Sequence, residues 1–180
     1  GIFGAPPPPP SQPVAARHGL FGLDCIASLL QNDKWLAYAQ SKTANALFAL
    51  ELNNRRARDG VKSFSVHPGP VFTDIQRHIT EEELIAIGWV KPGGGLSDEA
   101  RDYVKSPSEG AATLLWAATS PLLDNRGGEY CEDCDIAAMS TPEAPRWVNV
   151  AEWAVDDDGA KRLWAMTEDM VLAASNTTRV

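Results

Sequence analysis

Leu36–Leu50 reads Leu-Ala-Tyr-Ala-Gln-Ser-Lys-Thr-Ala-Asn-Ala-Leu-Phe-Ala-Leu. The stretch holds no Gly or Pro and is rich in Ala and Leu, so its helix propensity is high. Tyr38 and Lys42 stand four residues apart and therefore share a helix face. A free phenol titrates near ~10, too high for ready proton exchange at neutral pH. A nearby cation favours the phenolate and draws that value down. Tyr38 with Lys42 thus reads as a general acid/base and its activator. The bland alternative is a surface tyrosine beside a solvated lysine, which the spacing alone does not exclude.

A longer string narrows the choice. Tyr-Ala-Gln-Ser-Lys-Thr-Ala-Asn at 38–45 is followed by an apolar strand and then by His-Pro-Gly-Pro-Val-Phe-Thr-Asp at 67–74. Together these resemble the short-chain dehydrogenase/reductase family, in the branch that includes retinol dehydrogenases and WW-domain-containing oxidoreductases. The resemblance runs from about Arg17 to about Ala173. It implies an α/β fold, a Rossmann-like doubly wound parallel sheet of which only the carboxyl-terminal half is present. It implies Tyr38 as proton donor or acceptor at the substrate oxygen, and Lys42 as ribose ligand and tuner of the phenol. It also implies that Pro68, Gly69, the main chain at Val71 and the Thr73 hydroxyl meet the nicotinamide end of the cofactor, NADP or NAD, with NADP slightly favoured. A small lipophilic alcohol or carbonyl is the implied substrate. Pairing of two subunits through a second apolar face of the Tyr38 helix is the implied assembly.

Two departures stand beside the resemblance. The family's catalytic Ser has Val14 and Ala15 at the matching positions, and neither Ser11 nor Ser28 sits where it belongs. The phosphate-binding Gly motif has no match in residues 1–35, and Gly1 and Gly4 follow no strand. His18 could supply a donor, although a loop histidine is more often merely solvated.

Composition bounds the rest. The 180 residues carry a net charge of −8, with 44% hydrophobic and 22% charged residues. That suits one globular domain with a core of its own. The acidic balance disfavours nucleic acid and anionic membrane surfaces as partners. No apolar run is long enough to span a bilayer and no secretory signal is visible. Three Cys are too few for a disulfide framework and fit a reducing, cytoplasmic setting. The first residue is Gly rather than Met, which leaves room for an absent start.

Along the chain, residues 1–16 are Pro-rich, with an unbroken run Pro6–Pro10 expected to be extended or disordered. Residues 17–174 form the domain portion, and 175–180 a frayed tail. Asp33 is a fitting N-cap for a helix running to about Arg58, with Leu36, Ala39, Ala46, Leu47 and Leu50 as its apolar stripe. Asp59-Gly60 closes it. Val61–His67 reads as a buried strand, stopped by Pro68-Gly69-Pro70. Gln76–Trp89 is partly helical and lid-like, with Ile79, Leu84, Ile85 and Trp89 as substrate wall or core. Gly93–Gly95 offers a hinge. Ser106 and Glu109 frame a capping box for a helix Pro107–Thr119 that buries Ala112, Leu115, Trp116 and Ala118 or its neighbours. Glu129–Cys131 begins a last strand.

Cys131 and Cys134 have metal-like spacing, but a structural zinc wants four ligands and the remaining Cys25 is distant, so no metal is expected. A final helix begins at Asp156–Asp158 and buries Ala160, Leu163, Trp164, Met170 and Val171. Two functions follow as expectations. One is an NAD(P)-dependent alcohol/carbonyl oxidoreductase. The other is a catalytically incompetent relative acting as an interaction or dimerisation module.

Overall fold

The computed structural model describes residues 34–144 and 148–177. Asp33, Val14, Ala15, His18 and the Pro-rich segment lie outside the described residues.

Helix α1 covers Lys34–Arg56 and ends in a 3₁₀ turn, Ala57–Asp59. Gly60 adopts φ 79°, and its N–H donates to the Ala57 carbonyl. Only glycine takes that left-handed shape without a Cβ clash, so the closing signal in the sequence is met. Leu47 and Ala46 are buried on α1, whereas Leu36 is on the exposed side. Strand β1 is Ser65–His67, shorter than the expected Val61–His67. Val61 is exposed, and its N–H is taken by the Arg56 carbonyl, so the chain is still leaving the helix there.

Strands β2 (Tyr130–Glu132) and β3 (Asp135–Ile136) complete a mixed three-stranded sheet in the order β1-β2-β3. β1 pairs parallel with β2. β2 pairs antiparallel with β3. Among the described residues the sheet is therefore part parallel and part hairpin, not the purely parallel array expected. The hairpin accounts for the Cys-x-x-Cys spacing. Asp133 and Cys134 form its two-residue turn with φ of 50° and 57°, the backbone of a tight hairpin that glycine or asparagine usually supplies. Cys131 is fully buried, and burial pushes its thiol up to about 11. Cys134→Gly should relieve a left-handed L-residue and raise stability by roughly 0.5–1 kcal/mol. Thermal unfolding of the two proteins checks this.

Between β1 and β2 the chain makes an excursion. It contains α2 (Glu81–Ala86), α3 (Asp98–Arg101) and α4 (Pro107–Thr119). Thr80 with Glu83 and Ser106 with Glu109 both close full capping boxes. The three glycines at 93–95 have φ of 89°, 98° and 80°. They sit in a tight reversal closed by Lys91 N–H to the Gly95 carbonyl and by the Val90↔Leu96 bridge. That makes the expected hinge a turn. Trp89 is core rather than substrate wall, packed with Ile87, Ala100, Leu84 and Trp35.

α4 has the expected ends and part of the expected inner face, since Ala117 is buried and Trp116 packs on the same core. Gly110, Thr113 and Ala117 are buried, while Leu115 is 65% exposed. Small residues at this spacing let the helix axis come close to the chain beneath it. Helix α5 covers Asp157–Thr177 and packs on α1. Phe48 stacks on Trp164 at 5.4 Å, and Arg55 lies 4.8 Å over the same indole. Ala160 is buried, but Met170 and Val171 are 63% and 58% exposed, so the expected stripe fails beyond Trp164. Helix α5 outruns what α1 covers. No described helix is long and apolar enough to cross a membrane.

Candidate functional site

The face of α1 that carries Tyr38 and Lys42 is placed by two clusters. Ala46 packs with Tyr130, Val150 and Ala154, which ties α1 to β2. At the other end, Trp35 packs against the cluster of Ile87, Trp89 and Ala100, and Trp89 meets Phe72 edge-on at 5.2 Å. Lys34 also pairs with Glu83 at 2.5 Å. The start of α1 is thus tied to α2 and, through Trp89, to the segment just after the Pro-Gly-Pro bend.

Lys42 Nζ lies 5.2 Å from the centroid of the Tyr38 ring. The two side chains are together, as the four-residue spacing requires. The ammonium sits over the ring, where it gains a cation–π attraction. The phenol is half-buried, and that burial raises its pKa above the ordinary value. This is opposite to the expected direction, because loss of hydration disfavours the phenolate more than a cation at the ring face favours it. In this state the Tyr38 phenol is protonated at neutral pH.

The bend follows β1. Gly69 has φ 81°, Pro70 is buried and Pro68 is exposed. Its carboxyl side is held by contacts the sequence did not announce. Gln76 Nε2 donates to the Val71 carbonyl at 2.7 Å, and Gln76 Oε1 accepts from the Thr73 N–H at 2.7 Å. The Thr73 residue is exposed. The Lys105 N–H donates to the Pro70 carbonyl at 2.8 Å, and Val71 bridges Lys105 in parallel. From below, Gly110 of α4 approaches Val71 so closely that a Cβ there would lie 2.7 Å from Val71 Cγ2. Gln76 had a faint local signal, a side-chain amide three residues after a threonine in a turn. Lys105 and Gly110 had none, because they act across the excursion.

His67 ends β1 and is buried, with Nδ1 3.8 Å from Glu132 Oε2. Burial lowers the His67 pKa; the neighbouring Glu132 carboxylate opposes this incompletely, and the Lys105 charge adds to the lowering. Burial alone would raise Glu132, but opposing interactions, among them those with His67 and with the Asn149 N–H 2.6 Å from Oε1, bring it below the ordinary carboxylate value. Both folded values are depressed, so both groups stabilise the fold at neutral pH and lose that contribution as pH falls. The loss begins below the free histidine value of 6.5 and continues below the free glutamate value of 4.5. Melting temperature measured from pH 8 to pH 4 should fall in these two steps, and His67→Gln should remove the first. Burial, and then the Glu132 charge, raise the neighbouring Tyr130 phenol, with a further contribution from nearby Tyr38. Among the described residues no three His, Cys, Asp or Glu side chains gather to hold a metal ion.

No protein-family model matches the chain. Curated relatives do. A probable oxidoreductase of Streptomyces antibioticus is 37% identical over 142 residues, 79% of this chain and 47% of that protein. The short-chain dehydrogenase/reductase prx1 of Penicillium roqueforti is 34% identical over 149 residues, 83% of this chain and 42% of that protein. Human retinol dehydrogenase 14 is 33% identical over 155 residues, 86% of this chain and 41% of that protein. The chain spans less than half the length of these relatives. It is a homologue of the short-chain dehydrogenase/reductases and of the oxidoreductases named with them.

Proposed function

We propose that the full-length protein is an NAD(P)-dependent oxidoreductase that interconverts an alcohol and a carbonyl. The observation that carries this reading is the stacked Tyr38–Lys42 pair on α1, joined through Trp35, Trp89 and Phe72 to a glycine-centred bend at the end of a strand. Kinship with short-chain dehydrogenase/reductases supports a nicotinamide cofactor. The residues present fit its ribose–nicotinamide end. A phenol and an ammonium share one helix face, and Gly69 at φ 81° gives the turn after β1 a backbone shape that favours glycine. Strand-end loops are where α/β sheets receive ligands.

When bound, the nicotinamide supplies or accepts a hydride. The protein's part is proton transfer and positioning. The protonated Tyr38 hydroxyl donates to the substrate oxygen in reduction and takes the proton back in oxidation. Lys42 holds ribose hydroxyls and, with ligands in place, stabilises the phenolate. Pro68, Gly69 and the Val71 main chain seat the carboxamide, with the Thr73 hydroxyl beside it. Gln76 shapes that seat, since it already engages the Val71 carbonyl.

The test is turnover of NADPH and NADH by the full-length protein with medium-chain aldehydes and the matching alcohols. Absence of turnover with both cofactors across that panel would overturn the reading.

A second reading has its own observation. A groove of about 690 Å³ between α1 and α5 is lined by Ala44, Phe48, Leu163, Trp164, Val171 and Leu172. A second copy of the chain covering this face would make it an assembly surface, with or without catalysis. Sedimentation of the wild type and of Phe48→Glu reads the assembly, and titration with NADPH separates an enzyme from a non-catalytic module.

A further inference from the structure

Lys105 meets the bend in three ways at once. Its main chain takes the Pro70 carbonyl and bridges Val71. Its aliphatic stem runs along Gly69, with Cδ and Cε 2.8 and 2.9 Å from where a Cβ at 69 would stand. Its ammonium then ends on the carboxylate of Asp133. Asp133 is itself fixed. It occupies the left-handed turn of the β2–β3 hairpin, and the next residue, Cys134, donates its N–H to the buried Thr113 Oγ1 at 3.2 Å. The lysine thus runs from the root of α4, along the underside of Gly69, to the tip of the hairpin. A shorter apolar residue could fill part of the space beside Gly69 but could not reach Asp133.

We infer that Lys105, tethered by Asp133, is a positioning residue that fixes the Pro68-Gly69-Pro70 bend in the shape that receives the nicotinamide. The inference rests on the oxidoreductase reading of that bend. Gly69 serves two purposes here. Its φ of 81° sets the turn, and its missing side chain admits the lysine stem. The ion pair is partly exposed and by itself contributes little to stability. Its use is to hold one rotamer of a flexible chain where the bend would otherwise be free to shift, and loose positioning raises KM before it touches the chemical step.

The experiment uses the full-length protein with Lys105→Ala, Lys105→Arg and Asp133→Asn. Hydrogen exchange reads the amide of residue 105 and the peptide 68–76 without any ligand. Steady-state kinetics read KM for NADPH and kcat. For Lys105→Ala, exchange at these amides should rise about tenfold or more against unchanged exchange in α1. KM for NADPH should rise about fivefold to tenfold with kcat within about twofold. Asp133→Asn should move both in the same direction by less, and Lys105→Arg should restore most of both. Unchanged exchange in Lys105→Ala and Asp133→Asn would overturn the latch, whatever the kinetics. Faster exchange with KM unmoved would overturn its role in seating the cofactor. If the wild type turned over neither cofactor, the oxidoreductase reading would fail separately, and the exchange measurement would still decide whether Lys105 holds the bend.

Discussion

Tyr38→Phe should lower kcat about 10²–10⁴-fold, the range by which a positioned proton donor accelerates such a step. The substitution is close to a deletion of one oxygen. The phenyl ring keeps its place under Lys42, whose Nζ stands 5.2 Å from the ring centroid, so the α1 face and the cofactor KM should barely change. Burial holds the phenol above its ordinary value in the ligand-free protein. In kcat/KM, which reports the free enzyme, reduction of a carbonyl needs the protonated form and should therefore hold through neutral pH and decline only in strong base. Oxidation needs the phenolate and should climb with pH over the same interval. Both limbs should vanish in Tyr38→Phe. Stopped-flow or steady-state rates in each direction from pH 6 to pH 10.5 read the effect. Retained turnover in the variant, or an unchanged pH dependence, would mean that another group moves the proton.

Gly110→Ala should destabilise the protein although alanine is the better helix former. The propensity gain inside α4 is at most ~1 kcal/mol. Against it stands a new methyl whose carbon would lie 2.7 Å from Val71 Cγ2 and 3.6 Å from the Pro68 carbonyl oxygen. Overpacking of this kind costs about 1–3 kcal/mol, so a net loss near 1 kcal/mol or more is expected. The strain falls on the bend, and KM for NADPH should rise with it. Val71→Ala removes the opposing methyl, so the double variant should recover most of the loss. A double-mutant cycle by denaturant unfolding measures that coupling. Additive effects of the two substitutions would show that α4 and the bend do not share this contact.

The parts of the fold legible in the sequence are those written in local chemistry. α4 begins and ends where Ser106, Pro107, Glu109 and Ser120-Pro121 say it should. α1 closes at Gly60, and the Pro-Gly-Pro turn follows β1. The pairing of Tyr38 with Lys42 follows from helical spacing alone. What was missed depends on contacts between distant segments. The inner face of α4 uses Gly110, Thr113 and Ala117, and a hydrophobicity pattern points instead to its larger residues, such as Leu115, which face outward. The second half of α5 is apolar without being covered by the described chain. The Cys131–Cys134 spacing came from a hairpin turn, where Asp133 suits a positive φ but Cys134 has no such preference to announce it. The direction of the Tyr38 shift is set by burial, which no sequence motif states. Lys105 and Gln76 reach the bend only because the chain leaves it and returns.

That departure and return meet at one point, the Val71↔Lys105 bridge. Segment 72–104 is therefore a pedunculate excursion that is rooted again at Gln76, Glu83 and Trp89. Its exposed turn at Gly93–Gly95, with open space around each glycine, is the part that can be lengthened or exchanged while the sheet order stays as it is. Grafting a turn of another length at that point would then be a modular change that carries the Tyr38–Lys42 pair and the Pro-Gly-Pro turn over unchanged.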